Sequence, residues 1–294
     1  MAEEVEIKLS LSPDHVPTIE TALLKMPGAV KGRSIAMRNT YFDSPDGQLN
    51  REMMALRLRD SGGTPLQTLK TRGAISGGVA SRGEWEWPLT EYALDYQLLQ
   101  DTPLADHPAL GTLQACFDTH FTRQLIDLYP EGRDGTRIEC ALDSGSVEAG
   151  DKQQPLCELE LELKKGDAQR LQRVALQVAE HAPLFLNTIS KAEQGYFLAG
   201  LYRPQVSDSD SADCVDTWLH ALSVHWLLDD PATWPQVQQL HQELADRAEQ
   251  AGVYELWQIV AEHIQQLADA HARPRRALMG IPELAPLQLS LALG

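Results

Sequence analysis

Charged and apolar residues alternate again and again along the first two thirds of the chain. Glu4, Glu6 and Lys8 alternate with Val5, Ile7 and Leu9, and a period of two sets the three charges on one face of a β-strand and the three apolar side chains on the other. A single strand of this kind needs only a solvated face. The pattern recurs, however, with Arg57 and Arg59 against Leu56 and Leu58, with Lys70 and Arg72 in phase with Thr68, and with Arg82, Glu84 and Glu86 against Trp85 and Trp87. Arg123 follows in TRQLIDL, then Glu139 and Asp143 against Ile138, Cys140 and Leu142, then Glu158, Glu160 and Glu162 against Leu159, Leu161 and Leu163. Carboxylates in a row on one face repel one another, so a metal ion or basic neighbours must offset the cost.

Two helices interrupt the strands. Ser12 and Pro13 open one that runs to about Lys25 with Val16, Ile19, Leu23 and Leu24 on its apolar side, and Asp167 caps another with Leu171, Val174 and Val178 at helical spacing. Both are suited to covering the outside of a sheet whose Trp and Leu faces point toward them. The charged faces are then turned inward, and strands of this kind can close into a barrel with a charged interior. The fold class predicted is α+β.

After Tyr202 the pattern changes. Residues 203–213 read as a polar, acidic linker, and 214–294 as helices with apolar stripes: Val215, Leu219, Leu222 and Trp226, then Val237, Leu240 and Leu244, then Leu256, Ile259, Val260, Ile264 and Leu267. Beyond ARPRR (272–276) the chain reads as an apolar tail broken by proline. Such stripes are packing surfaces, and a homodimer through these helices is one use for them.

Composition narrows the function classes. A hydrophobic share of 43% in 294 residues supports a folded core, and a formal net charge of −17 argues against nucleic acid or an anionic membrane as partner, because both are bound by basic patches. A local basic pocket is still compatible with that total, since charges more than about 8 Å apart through water are largely screened. Cys116, Cys140, Cys157 and Cys214 lack metal-ligand spacing. With no apolar run of about 18 residues and an acidic start, the expectation is a soluble, unprocessed cytoplasmic protein.

The residues also resemble a known family. EVEIK (Glu4 to Lys8) resembles the E-x-E-x-K signature of the CYTH, or triphosphate tunnel metalloenzyme, family, and the likeness continues in order through NTYFDSPD (39–46), LRLR (56–59), Lys70, RGEWE (82–86), ELELEL (158–163) and SKAEQGY (190–196). It covers residues 1–202 and is nearest the bacterial inorganic triphosphatases. It implies a closed antiparallel eight-stranded tunnel barrel, Mg²⁺ or Mn²⁺ as cofactor, and hydrolysis of tripolyphosphate to pyrophosphate and phosphate. Carried over by motif, Lys8, Arg57, Arg59, Lys70, Arg82, Arg123 and Lys191 form a basic, substrate-binding lining. Glu4, Glu6, Asp143, Glu160 and Glu162 form an acidic, metal-holding wall, and Glu4, Glu6, Lys8 and Lys191 are the catalytic set. Carboxylate oxygens suit hard divalent cations, and arginine forks suit phosphate.

Other readings stay open at this stage. Class IV adenylate cyclase and thiamine triphosphatase are rivals within the family, and a non-hydrolytic polyphosphate- or nucleotide-binding module is the rival outside enzymes. Arg72, Glu86 and Glu139 divide evenly between solvated and site roles, Glu158 reads as a salt-bridged residue at a strand entrance, and Tyr41 reads as a packed aromatic. No histidine is assigned a role. The helical half lacks lysine, and its acidic residues outnumber its arginines, so polyphosphate binding there is not expected.

Overall fold

The structure, a computed structural model, describes residues 5–76, 79–204 and 213–293, with the side chains of 72–82 and 293 outside the description. The strands are β1 (Glu6–Ser10), β2 (Ala29–Asp43), β3 (Ala55–Asp60), β4 (Leu66–Ser76), β5 (Val79–Pro88), β6 (Gln114–Leu128), β7 (Arg137–Ala149), β8 (Lys152–Lys165) and β9 (Phe185–Leu186). The helices are α1 (Val16–Lys25), α2 (Gln48–Arg51), α3 (Ala168–Ala179), α4 (Lys191–Leu198), α5 (Cys214–Leu228), α6 (Trp234–Gln242), α7 (Ala245–Gln250), α8 (Tyr254–Asp269), α9 (Pro274–Leu278) and α10 (Leu284–Leu293).

Among the described residues the strands form one antiparallel sheet in the order β5-β4-β3-β2-β6-β7-β8-β1-β9. This corrects the eight-stranded closed barrel in both number and closure. Among the described residues there are nine strands, and two residue pairs, Glu6 with Ala80 and Ile7 with Val79, bring β5 round to β1. The physical reason is the length of β1, which has five residues. One of its edges pairs along β8, while the other is shared between β5 at its start and β9 at Leu9 and Ser10. Among the described residues the rest of β5 has no partner in β1.

The apolar faces go where the alternation places them. Ile7, Leu9, Leu159, Leu161, Ile138 and Cys140 are buried in one cluster with Ile19 and Leu23 of α1 and Leu171, Val174 and Val178 of α3. Leu24, expected on the apolar side of the first helix, is instead exposed. Trp85 and Trp87 lie under a different layer. They pack against Leu49, Leu56, Leu69 and Leu99, beneath α2 and the turns around residues 97–112. Asp43 organises that corner: fully buried, its carboxylate accepts from the backbone N–H of Ser44 (2.7 Å), Leu49 (2.8 Å) and Asn50 (2.9 Å), so the NTYFDSPD stretch holds α2 to the end of β2.

The C-terminal helices share the main cluster, with Trp218, Leu222, Trp234, Val260 and Leu287 in the same core as Ile7. The helical reading of the C-terminal region extends through its apolar end: α9 starts within ARPRR, and α10 follows in the proline-broken stretch. The Gln288 amide sits on the free edge of β9 in place of a strand: its Oε1 accepts from Leu186 N–H (2.8 Å) and its Nε2 donates to Leu186 O (3.0 Å). Without these bonds a buried backbone N–H and C=O would have no partner. Among the described residues, no helix is long and apolar enough to cross a membrane.

Candidate active site

Strand register sets the charged residues in rows. Across β1, β8 and β7, Glu6 stands beside Glu162 and Glu162 beside Glu139. Two residues further, Lys8 stands beside Glu160 and Glu160 beside Ala141. The next row is Ser10, Glu158 and Asp143. On the other side of the interior, Arg57 pairs with Tyr41 and Thr68, Arg59 with Asn39, and Lys70 with Glu84. The two arrays line one cavity of about 510 Å³, a volume ordinary for a small-molecule site (about 300–1,000 Å³).

Of the residues expected in a site, Glu6, Lys8, Arg57, Arg59, Lys70, Arg123, Glu160, Glu162 and Lys191 all line this cavity. Asp143 lies just behind it, fully buried. Glu4 lies outside the described residues, as does the side chain of Arg82. Glu86 and Glu139 also line the cavity. Glu84, Lys164 and Ser190 are lining residues that sequence reasoning did not assign. Lys164 was legible, since it continues the phase of Glu160 and Glu162; it reaches Glu162 at 2.6 Å and Glu139 at 3.6 Å.

Lys191 is delivered by α4, which lies on the charged side of the sheet. Ser190 accepts from Glu193 N–H at 3.2 Å and Glu193 accepts from Ser190 N–H at 2.8 Å, a capping box that starts the helix at the cavity. Further along, Tyr196 packs edge-on to Phe117 (5.0 Å) and Phe117 stacks on Tyr41 (4.5 Å). A Cβ on Gly195 would stand 1.9 Å from the Phe117 ring, so only glycine lets α4 seat this deeply.

The innermost charges form a tight group. Lys191 Nζ lies 2.9 Å from Asp143 Oδ2 and 2.7 Å from Glu160 Oε1, and it also bonds Glu158. Arg123 makes a two-pronged bond to Asp143 (2.8 and 2.7 Å) and reaches Glu160 at 2.5 Å. Glu158 is therefore no entrance residue; it is 1% exposed. Burial pushes its carboxyl up to about 7 against the pull of Lys191 and Lys8. Glu160 is buried as well, but Lys191 and Arg123 outweigh that and hold it well below the usual carboxylate range. Burial would also lower Lys191, yet Asp143, Glu158 and Glu160 hold it well above an ordinary lysine.

The basic wall behaves differently. Desolvation, with Arg57 and Arg123 nearby, lowers Arg59 to about 10, and its Nε donates to Asn39 Oδ1 at 3.0 Å. Tyr41 is a packed aromatic, as read, and its hydroxyl also meets Arg57 at 3.4 Å. Burial would raise its phenol, but Arg57, Arg59 and Lys191 hold it below the ordinary value. Cations crowded in this way are stabilised by an anion placed among them.

The innermost carboxylates are the kind of donors a divalent cation takes, and in this structure Lys191 and Arg123 supply the positive charge among them. Asp143, Glu158 and Glu160 each offer a carboxylate oxygen within 4.8 Å of the others, and buried Glu158 Oε2 has no hydrogen-bond partner. An all-carboxylate set is what hard cations take.

Comparison with known proteins adds a family. The sequence profile of the CYTH domain matches residues 2–196. An inorganic triphosphatase of Haemophilus influenzae is 33% identical over 202 residues, which is 67% of this chain and 55% of that protein; this chain thus spans about half the relative's length. Among solved structures, a Hippeastrum protein named as a candidate adenylyl cyclase, and described as having a dominant triphosphatase activity, aligns at a TM-score of 0.50 with 21% identity, covering 66% of this chain and 95% of that one. That likeness supports the fold.

Proposed function

The chain belongs to the CYTH domain family, and from that premise we propose that it hydrolyses inorganic triphosphate to pyrophosphate and phosphate with a divalent metal. The observation that carries the reading is the pairing, in one cavity, of a cationic array around Arg57, Arg59 and Lys70 with the carboxylate rows of β1, β7 and β8. A pure anion binder gains nothing from clustered carboxylates, and a pure metal binder gains nothing from clustered arginines. A triphosphate with its metal needs both. The name of the Haemophilus relative points the same way.

In this reading Arg57, Arg59, Lys70, Arg82 and Arg123 hold the phosphate chain, with arginine forks matched to its oxygens. Lys8 and Lys191 draw charge from the terminal phosphoryl group, while Glu4 and Glu6 orient the attacking water and accept its proton. A bond forms from the water oxygen to the terminal phosphorus as the bridging P–O bond breaks and pyrophosphate leaves. Glu4, Glu6, Asp143, Glu160 and Glu162, joined by Glu158, are the metal-holding carboxylates. Bound Mg²⁺ or Mn²⁺ would neutralise phosphate oxygens and lower the pKa of a water. Residues 1–202 form the catalytic unit and 214–294 a packing region, while most of the linker expected at 203–213 lies outside the described residues; Tyr254 and Ile259, exposed on α8, are suited to a homodimer contact. Four unpaired cysteines suit a reducing cytoplasm.

Parallel incubation with tripolyphosphate, ATP and thiamine triphosphate tests the substrate. Tripolyphosphate is expected to turn over at least tenfold faster than either nucleotide-like or thiamine substrate. Equal turnover of ATP, or cyclic AMP as its product, would contradict the proposal, and preference for thiamine triphosphate would transfer it to that ester.

A further inference from the structure

Residues 186–190 form a short strap from β9 to the start of α4, and each backbone N–H along it has an acceptor. Leu186 donates to Gln288 Oε1 (2.8 Å), Asn187 to Lys8 O (3.0 Å) and Thr188 to Ser223 Oγ (3.0 Å). Ile189 donates to the Asn187 side chain (2.9 Å) and Ser190 to Glu193 (2.8 Å). Carbonyls of the strap are engaged as well: Gln288 Nε2 donates to Leu186 O (3.0 Å), and Lys8 Nζ donates to Ile189 O. One edge of the strap thus lies on β1, where Asn187 Nδ2 also donates to Ser10 Oγ (2.9 Å). The other edge is held by Ser223 of α5 and Gln288 of α10, both fully buried.

Both lysines assigned to the terminal phosphoryl group depend on this strap. Lys8 is aimed by Ile189 O, and Lys191 follows two residues later as the first residue of α4. Among the described residues, none of 213–293 lines the cavity. From this arrangement we infer that Gln288 and Ser223 are positioning residues for the reaction: from outside the cavity they set the strap, and through it the places of Lys8 and Lys191. The inference rests on the triphosphate reading and gives the C-terminal helices a part in turnover beyond packing. Removing either side chain leaves a buried strap N–H unpaired, so the strap shifts to find another partner. A displacement of about 1 Å in groups that meet the reacting atoms can cost on the order of 100-fold in rate. Arg57, Arg59 and Lys70 stand on β3 and β4, on the opposite wall, so the hold on the phosphate chain is unchanged.

The test measures tripolyphosphate turnover with Mg²⁺ by the intact chain, Gln288→Met and Ser223→Ala, each well below its melting temperature. In the folded variants kcat should fall at least tenfold with KM within twofold, the split expected when reacting groups move and binding groups stay. Ser223→Ala removes one acceptor and leaves Gln288 in place, so the effect is readable even where Gln288→Met fails to fold. Gln172→Met is the control: Gln172 Nε2 ties α3 to Leu289 O of α10 at 3.3 Å without touching the strap, and its loss should leave kcat within twofold. A second readout is the NMR signals of the lysine side chains. Lys191 Nζ lies 5.4 Å from the centre of the Phe121 ring, so the ring current makes its signal sensitive to small movements. The Lys8 and Lys191 signals should shift in Gln288→Met and Ser223→Ala while that of Lys70 holds. A folded variant with unchanged kcat, unmoved Lys8 and Lys191 signals, or an equal loss in Gln172→Met overturns the inference. Absence of turnover by the unaltered protein refutes the hydrolase reading instead, and the lysine signals then decide whether the C-terminal helices set the strap.

Discussion

Lys191→Met should lower stability by about 3–5 kcal/mol, the usual cost of breaking a buried ion pair from one side, and reduce triphosphate turnover to background. Methionine keeps the length and apolar stem but leaves Asp143, Glu158 and Glu160 gathered around no ammonium. Arg123 still pairs with Asp143 and Glu160, so the loss falls mainly on Glu158, the carboxylate with an oxygen that already has no partner. Its high pKa, near 7, lets it take up a proton and recover part of the cost. A divalent cation should recover more, because it restores positive charge among the same oxygens. Thermal melts with and without Mg²⁺ check this: the variant is expected to gain more from metal than the unaltered protein. A loss within about 0.5 kcal/mol, the range of ordinary surface substitutions, would mean that Lys191 is a bystander.

The opposite faces of β1 give the second large effect. Ile7 is 1% exposed among Leu159, Leu161 and the helices. Ile7→Asp would bury a charge with no partner there, and a cost of several kcal/mol is comparable to a domain's whole margin of about 5–15 kcal/mol. That variant is expected to unfold or aggregate. One residue earlier, Glu6→Gln preserves volume and removes one negative charge from the row it shares with Glu162 and Glu139. Its melting temperature should hold or rise as repulsion is relieved, while turnover collapses. Melts and tripolyphosphate turnover on both variants separate the faces. A folded Ile7→Asp protein would contradict the burial of that face, and an active Glu6→Gln enzyme would remove Glu6 from the site.

Much of this was legible because a period of two is a statement about faces. The alternation in EVEIK, LRLR and ELELEL sorted Glu6, Lys8, Arg57, Arg59, Glu160 and Glu162 into the cavity and Ile7, Leu159 and Leu161 into the core before any coordinates were needed. What was not legible depends on contacts distant in sequence. Glu158 has the same phase as Glu160, and its depth follows only from where α4 enters, which rests on Gly195 against Phe117. Trp85 and Trp87 were correctly read as facing away from the charges, yet the layer over them comes from turns with no helical periodicity. The seam between β1 and β5 depends on β9, a two-residue strand completed by a side chain 102 positions away. No local pattern encodes such a pairing.

The central claim is that the charged interior of the sheet is a hydrolytic triphosphate site that works only with a divalent cation. The most direct measurement is product release from tripolyphosphate by the intact chain, followed with Mg²⁺, with Mn²⁺ and after chelation. Pyrophosphate and phosphate in equal amounts are predicted with either metal, with loss of both on chelation and recovery when metal is returned. Tripolyphosphate that binds but stays intact with both metals present, or cleavage indifferent to the chelator, would contradict it.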